Sequence, residues 1–187
     1  MKETYDIHNI WVSYELHPET PAAGILLAER FKGHDIARMY EPLRERGKEF
    51  GIVFGYYTLL SNSRLALEAS EYARDMGKYE IFHGHIFHAY FTEALDIGSL
   101  EVLATIAARC DLDAGEMMKA LAEKRYSPRL AQAREEGKKI NLTGVPTFII
   151  NEQHTIVGAQ SVKVFQSLLR KISEEKTGRD TKFPVAM

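Results

Sequence analysis

The chain has 187 residues, 45% of them hydrophobic and 27% charged, with a formal net charge of −2, which fits one domain with a good core or a small domain carrying an insertion. So small a charge gives no electrostatic reason to expect nucleic acid or an anionic membrane as a partner, and no apolar run approaches the roughly 20 residues that span a bilayer. The single cysteine, Cys110, excludes an intrachain disulfide and a Cys-x-x-Cys pair within these residues.

The first residues, Met1 to Asp6, are polar and lack the apolar stretch of a signal peptide, so a cytoplasmic protein is expected. Ile10 to Leu16 then alternates. Ile10, Val12, Tyr14 and Leu16 fall on one face and Trp11, Ser13 and Glu15 on the other, which predicts a strand. Trp11 is expected to pack in the core, because a sheet with helices on both sides buries both faces. Pro18 and Pro21 end the strand by removing ladder donors.

From about Gly33 to Gly137 the period is helical. A first helix runs from Asp35 to Lys48 with Ile36, Met39, Tyr40 and Leu43 on one stripe. Ser61 or Asn62 caps a second, carrying Leu65, Ala69, Tyr72 and Met76 and stopping at Gly77. A third, Tyr79 to Glu93, turns Phe82, Ile86, Phe87, Tyr90 and Phe91 inward. Ser99 caps a fourth with Leu103, Ile106, Ala107 and Cys110 inward, Asp113 caps a fifth, and Ser127-Pro128 opens a sixth.

The pattern then changes. Thr147 to Ile150 and His154 to Val157 are short runs of β-formers around Asn151-Glu152-Gln153, which predicts a hairpin. Ser161 caps a last helix with Val164, Phe165, Leu168, Leu169 and Ile172 inward, and the polar tail from Thr177 to Met187 is expected to fray. The periodicity therefore gives an α/β chain of strand, helical block, hairpin and helix.

Other clusters read more simply as structure. His83, His85 and His88 have no carboxylate or cysteine at fixed spacing to complete a metal set, so they are taken as histidines on an amphipathic helix. Cys110 shares an apolar stripe near a helix C-terminus, where the dipole disfavours a thiolate, so it is taken as packing. Asn62-Ser63-Arg64 is taken as a cap with a solvated arginine, although contact with a cosubstrate stays open. Glu135 to Lys139 is taken as a solvated helix end.

Five stretches in one order carry a resemblance: Tyr14 to Pro21, Asn62 to Leu67, Phe87 to Phe91, Gly144 to Asn151 and Val157 to Gln160. Together they resemble the FrnE-like branch of the DsbA family, which is related to 2-hydroxychromene-2-carboxylate isomerases, over residues 5–172. The resemblance implies a thioredoxin-like fold with an all-helical insertion: residues 1–32 and 139–187 form the thioredoxin-like domain and residues 33–138 the insertion.

It implies a thiol–disulfide oxidoreductase whose partner is a thiol- or disulfide-containing protein or a small thiol, with no metal and with glutathione as the one possible cosubstrate. Val145, Pro146 and Thr147 match the family's substrate-binding loop, in which the proline is cis and the preceding backbone pairs with bound peptide.

The family's first strand and its Cys-x-x-Cys at a helix N-terminus, where the dipole lowers the thiol pKa, have no counterpart here. Met1 to Tyr5 resemble the end of that first helix, so an N-terminal truncation is expected. A selenocysteine codon read as a stop is one cause of such a start. Without an attacking thiolate and a nearby partner thiol, these residues contain no catalytic group for dithiol exchange. The alternatives are an isomerase or kappa-type glutathione-transferase relative with serine in place of the first cysteine, and a non-catalytic binding module. Loss of a central strand leaves unpaired edges, so a homodimer that repairs the sheet is expected.

Overall fold

The computed structural model describes residues 4–180, with side chains to residue 175. It divides into two compact units, Val12–Ile140 and, brought together from both ends of the chain, Met1–Trp11 with Asn141–Met187.

The larger unit is helical. It contains β1 (Ile25–Leu26), α1 (Leu27–Arg30), α2 (Ile36–Lys48), β2 (Leu59–Leu60), α3 (Arg64–Asp75), α4 (Tyr79–Phe91), α5 (Leu100–Arg109), α6 (Ala114–Ala122) and α7 (Ser127–Lys139). The expected Asp113 cap forms, its side chain accepting a hydrogen bond from the Glu116 N–H at 2.9 Å, and Asp35, read from the sequence as the first residue of its helix, is the cap of α2 and accepts from the Arg38 N–H at 3.1 Å. Ser99 precedes α5 but makes no side-chain cap bond. Gly77, at φ +70°, closes α3 in the left-handed conformation a glycine adopts without cost.

The core lies where α3, α4, α5 and α6 meet. Ala69, Ala73, Phe82, Leu103, Ala107, Met117 and Ala120 are fully buried there. Small residues on α3 let its neighbours approach, and Phe82 of α4 fills the space. On α4, the stripe read from the sequence is too wide: Phe82 and Ile86 are buried, whereas Phe87 is half exposed. Phe87 lies on an outer ridge, edge-on to His83 at 4.5 Å and stacked on Phe91 at 5.6 Å.

The smaller unit holds the hairpin and the last helix: β3 (Thr147–Ile150), β4 (His154–Val157) and α8 (Val162–Asp180). The antiparallel register pairs Thr147 with Val157 and Ile150 with His154. The three-residue loop turns through Asn151 and Glu152, both at positive φ. Phe148 meets Phe165 of α8 edge-on at 4.8 Å. α8 runs to Asp180, past Thr177 where fraying is expected from the sequence, and residues 181–187 of that expected tail lie outside the described residues. Of the residues read as the end of a preceding helix, Met1 to Glu3 lie outside the described residues, while Thr4 and Tyr5 form a turn and a bend.

The strand expected over Ile10 to Leu16 does not form. The described sheets are two separate two-stranded pairs, β1 with β2 and β3 with β4. A strand needs a neighbour for its N–H and C=O groups, and none pairs with this segment. The alternation survives only in part without the ladder: the apolar face points outward at Ile10 and Val12, whereas Tyr14 and Leu16 are half-buried. Ile10 is 86% and Val12 62% exposed, while Ser13 and Glu15 are only 5% and 3% exposed. Trp11, expected in the core, is 44% exposed although it shares the face of Ser13 and Glu15.

Candidate functional site

The loop into β3 begins where α7 ends. Asn141, at φ +51°, takes the left-handed conformation just past the last helical residue and turns the chain out of α7. The Val145–Pro146 peptide bond is cis. Thr147 Oγ1 donates to the Gly144 carbonyl at 2.7 Å, closing the loop onto itself. The Pro146 carbonyl accepts from the Gly158 N–H, also at 2.7 Å, which ties the loop to the far end of β4. The three residues singled out from the sequence are therefore held by the hairpin they introduce.

Val145 stands apart from this bonding. It is 50% exposed, and its backbone N–H and C=O have no partner among the described residues. An unpaired donor and acceptor on one half-exposed residue, with bonds on either side of it, is the arrangement that an added peptide strand uses. Beyond Val145, β3 pairs only with β4 among the described strands, so its other edge is open.

Cys110 lies elsewhere, just past the end of α5, and is 1% exposed. Burial pushes its thiol pKa up; the nearby Lys78 charge opposes this, and Asp111 adds to the rise. Lys78 Nζ donates to the Cys110 carbonyl at 2.9 Å, so the ammonium is engaged with backbone. A buried thiol held protonated is a poor nucleophile.

The histidines of α4 serve different neighbours. His83 stacks on Tyr79 at 5.2 Å, and burial lowers its pKa, with the Arg74 charge acting in the same direction. His88 Nε2 lies 3.7 Å from Glu93. Among the described residues, no group of three or more histidine, cysteine, aspartate or glutamate side chains could hold a metal ion.

Asn62 links two loops. Its Nδ2 donates to the Thr20 carbonyl at 2.6 Å and its Oδ1 accepts from the Arg64 N–H at 3.0 Å. Arg64, expected to be solvated, instead binds the buried Glu15 carboxylate at 2.7 Å. The Glu135 to Lys139 stretch is exposed as expected at the Glu135–Lys138 ion pair, but Gly137 is buried against the Tyr14 ring.

Sequence reasoning missed the polar seam between α3 and α7. Glu71 accepts from Ser13 and Arg74 and lies 3.4 Å from Arg129, Asp75 forms a two-bond pair with Arg129, and Glu68 accepts from Ser127. The spacing of Glu68, Glu71 and Asp75 along α3 was the available signal.

The uncharacterized protein YwbO of Bacillus subtilis (strain 168) is 25% identical over 174 residues, 91% of this chain and 84% of YwbO. The crystal structure of a probable DsbA oxidoreductase from Streptomyces coelicolor matches with a TM-score of 0.73 at 19% identity, covering 92% of this chain and 76% of that one. That likeness shows a common fold. Residues 1–170 match the DSBA-like thioredoxin domain, so the chain belongs to the DsbA-like thioredoxin-fold family, a family of the thiol–disulfide oxidoreductase type.

Proposed function

We propose that this chain supplies the substrate-binding scaffold of a cytoplasmic DsbA-like thiol–disulfide oxidoreductase of the FrnE-like branch, with Val145, Pro146 and Thr147 seating a thiol- or disulfide-bearing polypeptide or a small thiol. The observation that carries this reading is Val145, a half-exposed residue whose N–H and C=O have no partner among the described residues, on a loop fixed by Thr147 and Gly158. Dithiol exchange needs an attacking thiolate beside a second sulfur. The only sulfhydryl in the sequence, Cys110, is buried in the helical unit with a raised pKa. The residues present therefore bind and do not exchange.

Two measurements test this. In an insulin reduction assay with dithiothreitol, the chain should give no turnover above buffer, and Cys110→Ser should change nothing. Turnover that survives Cys110→Ser would show that the chemistry lies elsewhere. In an NMR titration, an oxidised cysteine-containing peptide should shift the amides of Val145 and Thr147. Oxidised glutathione alone producing those shifts would narrow the partner to the small thiol. Shifts confined to other residues would remove the loop from the site.

We also propose that the free edge of β3 is covered in solution by a second copy of the chain. Phe148 and Ile149 are exposed, and Thr147 to Ile150 contains no charge or proline to discourage pairing. Light scattering over a concentration series should show a dimer that Ile149→Lys converts to monomer. A monomer at every concentration ends this part of the reading.

A further inference from the structure

The segment Val12 to Leu16 is oriented against its own hydrophobicity. Ser13 and Glu15 are buried, Val12 is exposed and Tyr14 and Leu16 are half-buried, and a period of two means that a one-residue slip exchanges the faces. Burying Val12, and the rest of the half-buried Leu16, in place of Ser13 and Glu15 would remove apolar area from water and return a carboxylate to it. The structure does the opposite: Val12 is exposed and Glu15 buried. Backbone pairing does not impose this, because the segment belongs to no sheet.

We propose that Ser13 and Glu15 act as a register lock, a pair of buried polar anchors that fix which face of this segment turns outward. Ser13 Oγ donates to Glu71 Oε1 at 2.6 Å. Glu71 is itself held by Arg74 Nε at 3.0 Å and Arg129 Nη1 at 3.4 Å. Glu15 Oε2 accepts from Arg64 Nη2 at 2.7 Å and lies 3.9 Å from Arg134 Nη1. Four arginines, two each on α3 and α7, thus surround two buried carboxylates. Between the anchors, Tyr14 packs on Gly137 of α7, where a side chain would collide with its ring.

The lock works by penalty. A one-residue slip strips Glu71 of its Ser13 donor and moves Glu15 away from Arg64, and a buried charge without its partner is strongly disfavoured. Alternative registers lack that match, as a single buried polar residue fixes register in a coiled coil. The helical unit thereby presents an apolar face at Val12 before any strand pairs with it.

Thiol labelling tests the lock, because the one native cysteine is buried and can be removed as Cys110→Ser. In that background, Val12→Cys should react with iodoacetamide about tenfold faster than Ser13→Cys, which reacts only on local opening. Adding Glu15→Ala and Glu71→Ala should equalise or invert the two rates while the helical circular dichroism at 222 nm is kept. If that double variant loses its helical signal, Glu15→Gln alone, which alters only the segment, is read in the same way and should at least halve the ratio. Equal rates in the parent background, or a ratio unchanged once the anchors are removed, overturns the proposal.

Discussion

The two units of the chain treat their apolar residues differently. In the helical unit, Phe82, Leu103 and Met117 are wholly removed from water. In the hairpin unit, Ile156 and Ile172 are buried while Val145, Ile149 and Val157 stay about half exposed. The difference comes from where each kind of element satisfies its backbone. Helices bond internally, so their stripes are free to close on one another wherever the chain provides enough of them. Strands bond only to neighbours, and a two-stranded sheet is marginal by itself. The stability of this chain should therefore be concentrated in α3 to α7.

The largest effect is expected from Phe82→Ala, at the centre of the helical core. Deleting that ring should cost about 3–5 kcal/mol, the transfer free energy plus the cavity left behind. Urea unfolding followed at 222 nm would measure it. A cost below about 1 kcal/mol would mean that the core collapses around the gap and is far less rigid than its burial implies.

Next comes Gly55. Its N–H donates to the Phe91 carbonyl at 2.8 Å, and an added Cβ would overlap the Thr92 carbonyl, which is backbone and cannot rotate away. Gly55→Ala should cost about 1–3 kcal/mol. Gly51→Ala provides the comparison, since nothing lies within 4 Å of its added Cβ and only its positive φ opposes the change.

Acid should act through the seam between α3 and α7. At Glu71, burial pushes the carboxyl pKa up, but the hydrogen bonds from Arg74 and Ser13 and the Arg74 charge outweigh it, so the net shift is below the ordinary 4.5. At Asp75, the Arg129 hydrogen bonds lower the pKa below 3.8 against a smaller effect of burial. Both folded values lie below their unfolded ones. The stabilisation is thus complete above about pH 5 and is lost as pH falls through the folded values. The urea midpoint should be flat from pH 8 to pH 5 and decline below pH 4.5. Arg129→Gln should lower the plateau and flatten the decline, and an unchanged decline would place the acid-sensitive groups elsewhere.

The sequence was most legible where local chemistry decides. Asp113 caps its helix as read because a side-chain oxygen three residues before an N–H is enough to do it, and Asp35 marks the start of α2 for the same reason. The hairpin limits match because Asn151-Glu152-Gln153 interrupts two runs of β-formers. The Val145 to Thr147 loop could be located from its motif, yet the free backbone groups of Val145 became visible only in three dimensions. Ile10 to Leu16 departs from the expected strand because a period of two supplies no neighbour for its backbone groups to pair with, and it does not say which face is buried. That choice depends on arginines 49 and 119 residues away in the chain, Arg64 and Arg134 against Glu15. The pairs β1 and β2, two residues each, are too short to register as a pattern.

The smallest effect is expected in the hairpin. Ile149 is 53% exposed, so Ile149→Ser removes little buried area and creates no cavity. Its effect on the urea midpoint of the isolated chain should stay within about 0.5 kcal/mol, the range for surface positions. The same substitution at a buried isoleucine, Ile106→Ser, should cost several times more, since it leaves both a cavity and an unpaired hydroxyl. Protein concentration sharpens this contrast. If β3 of one copy pairs with another, part of the Ile149 side chain becomes buried in the dimer, and the cost of Ile149→Ser should rise with concentration because dissociation is then coupled to unfolding. The cost of Ile106→Ser should not vary, because its surroundings lie within one chain. A concentration-independent Ile149→Ser effect would leave the hairpin face exposed in solution as it is in the single chain, and the asymmetry between the two units would then be a property of the monomer itself.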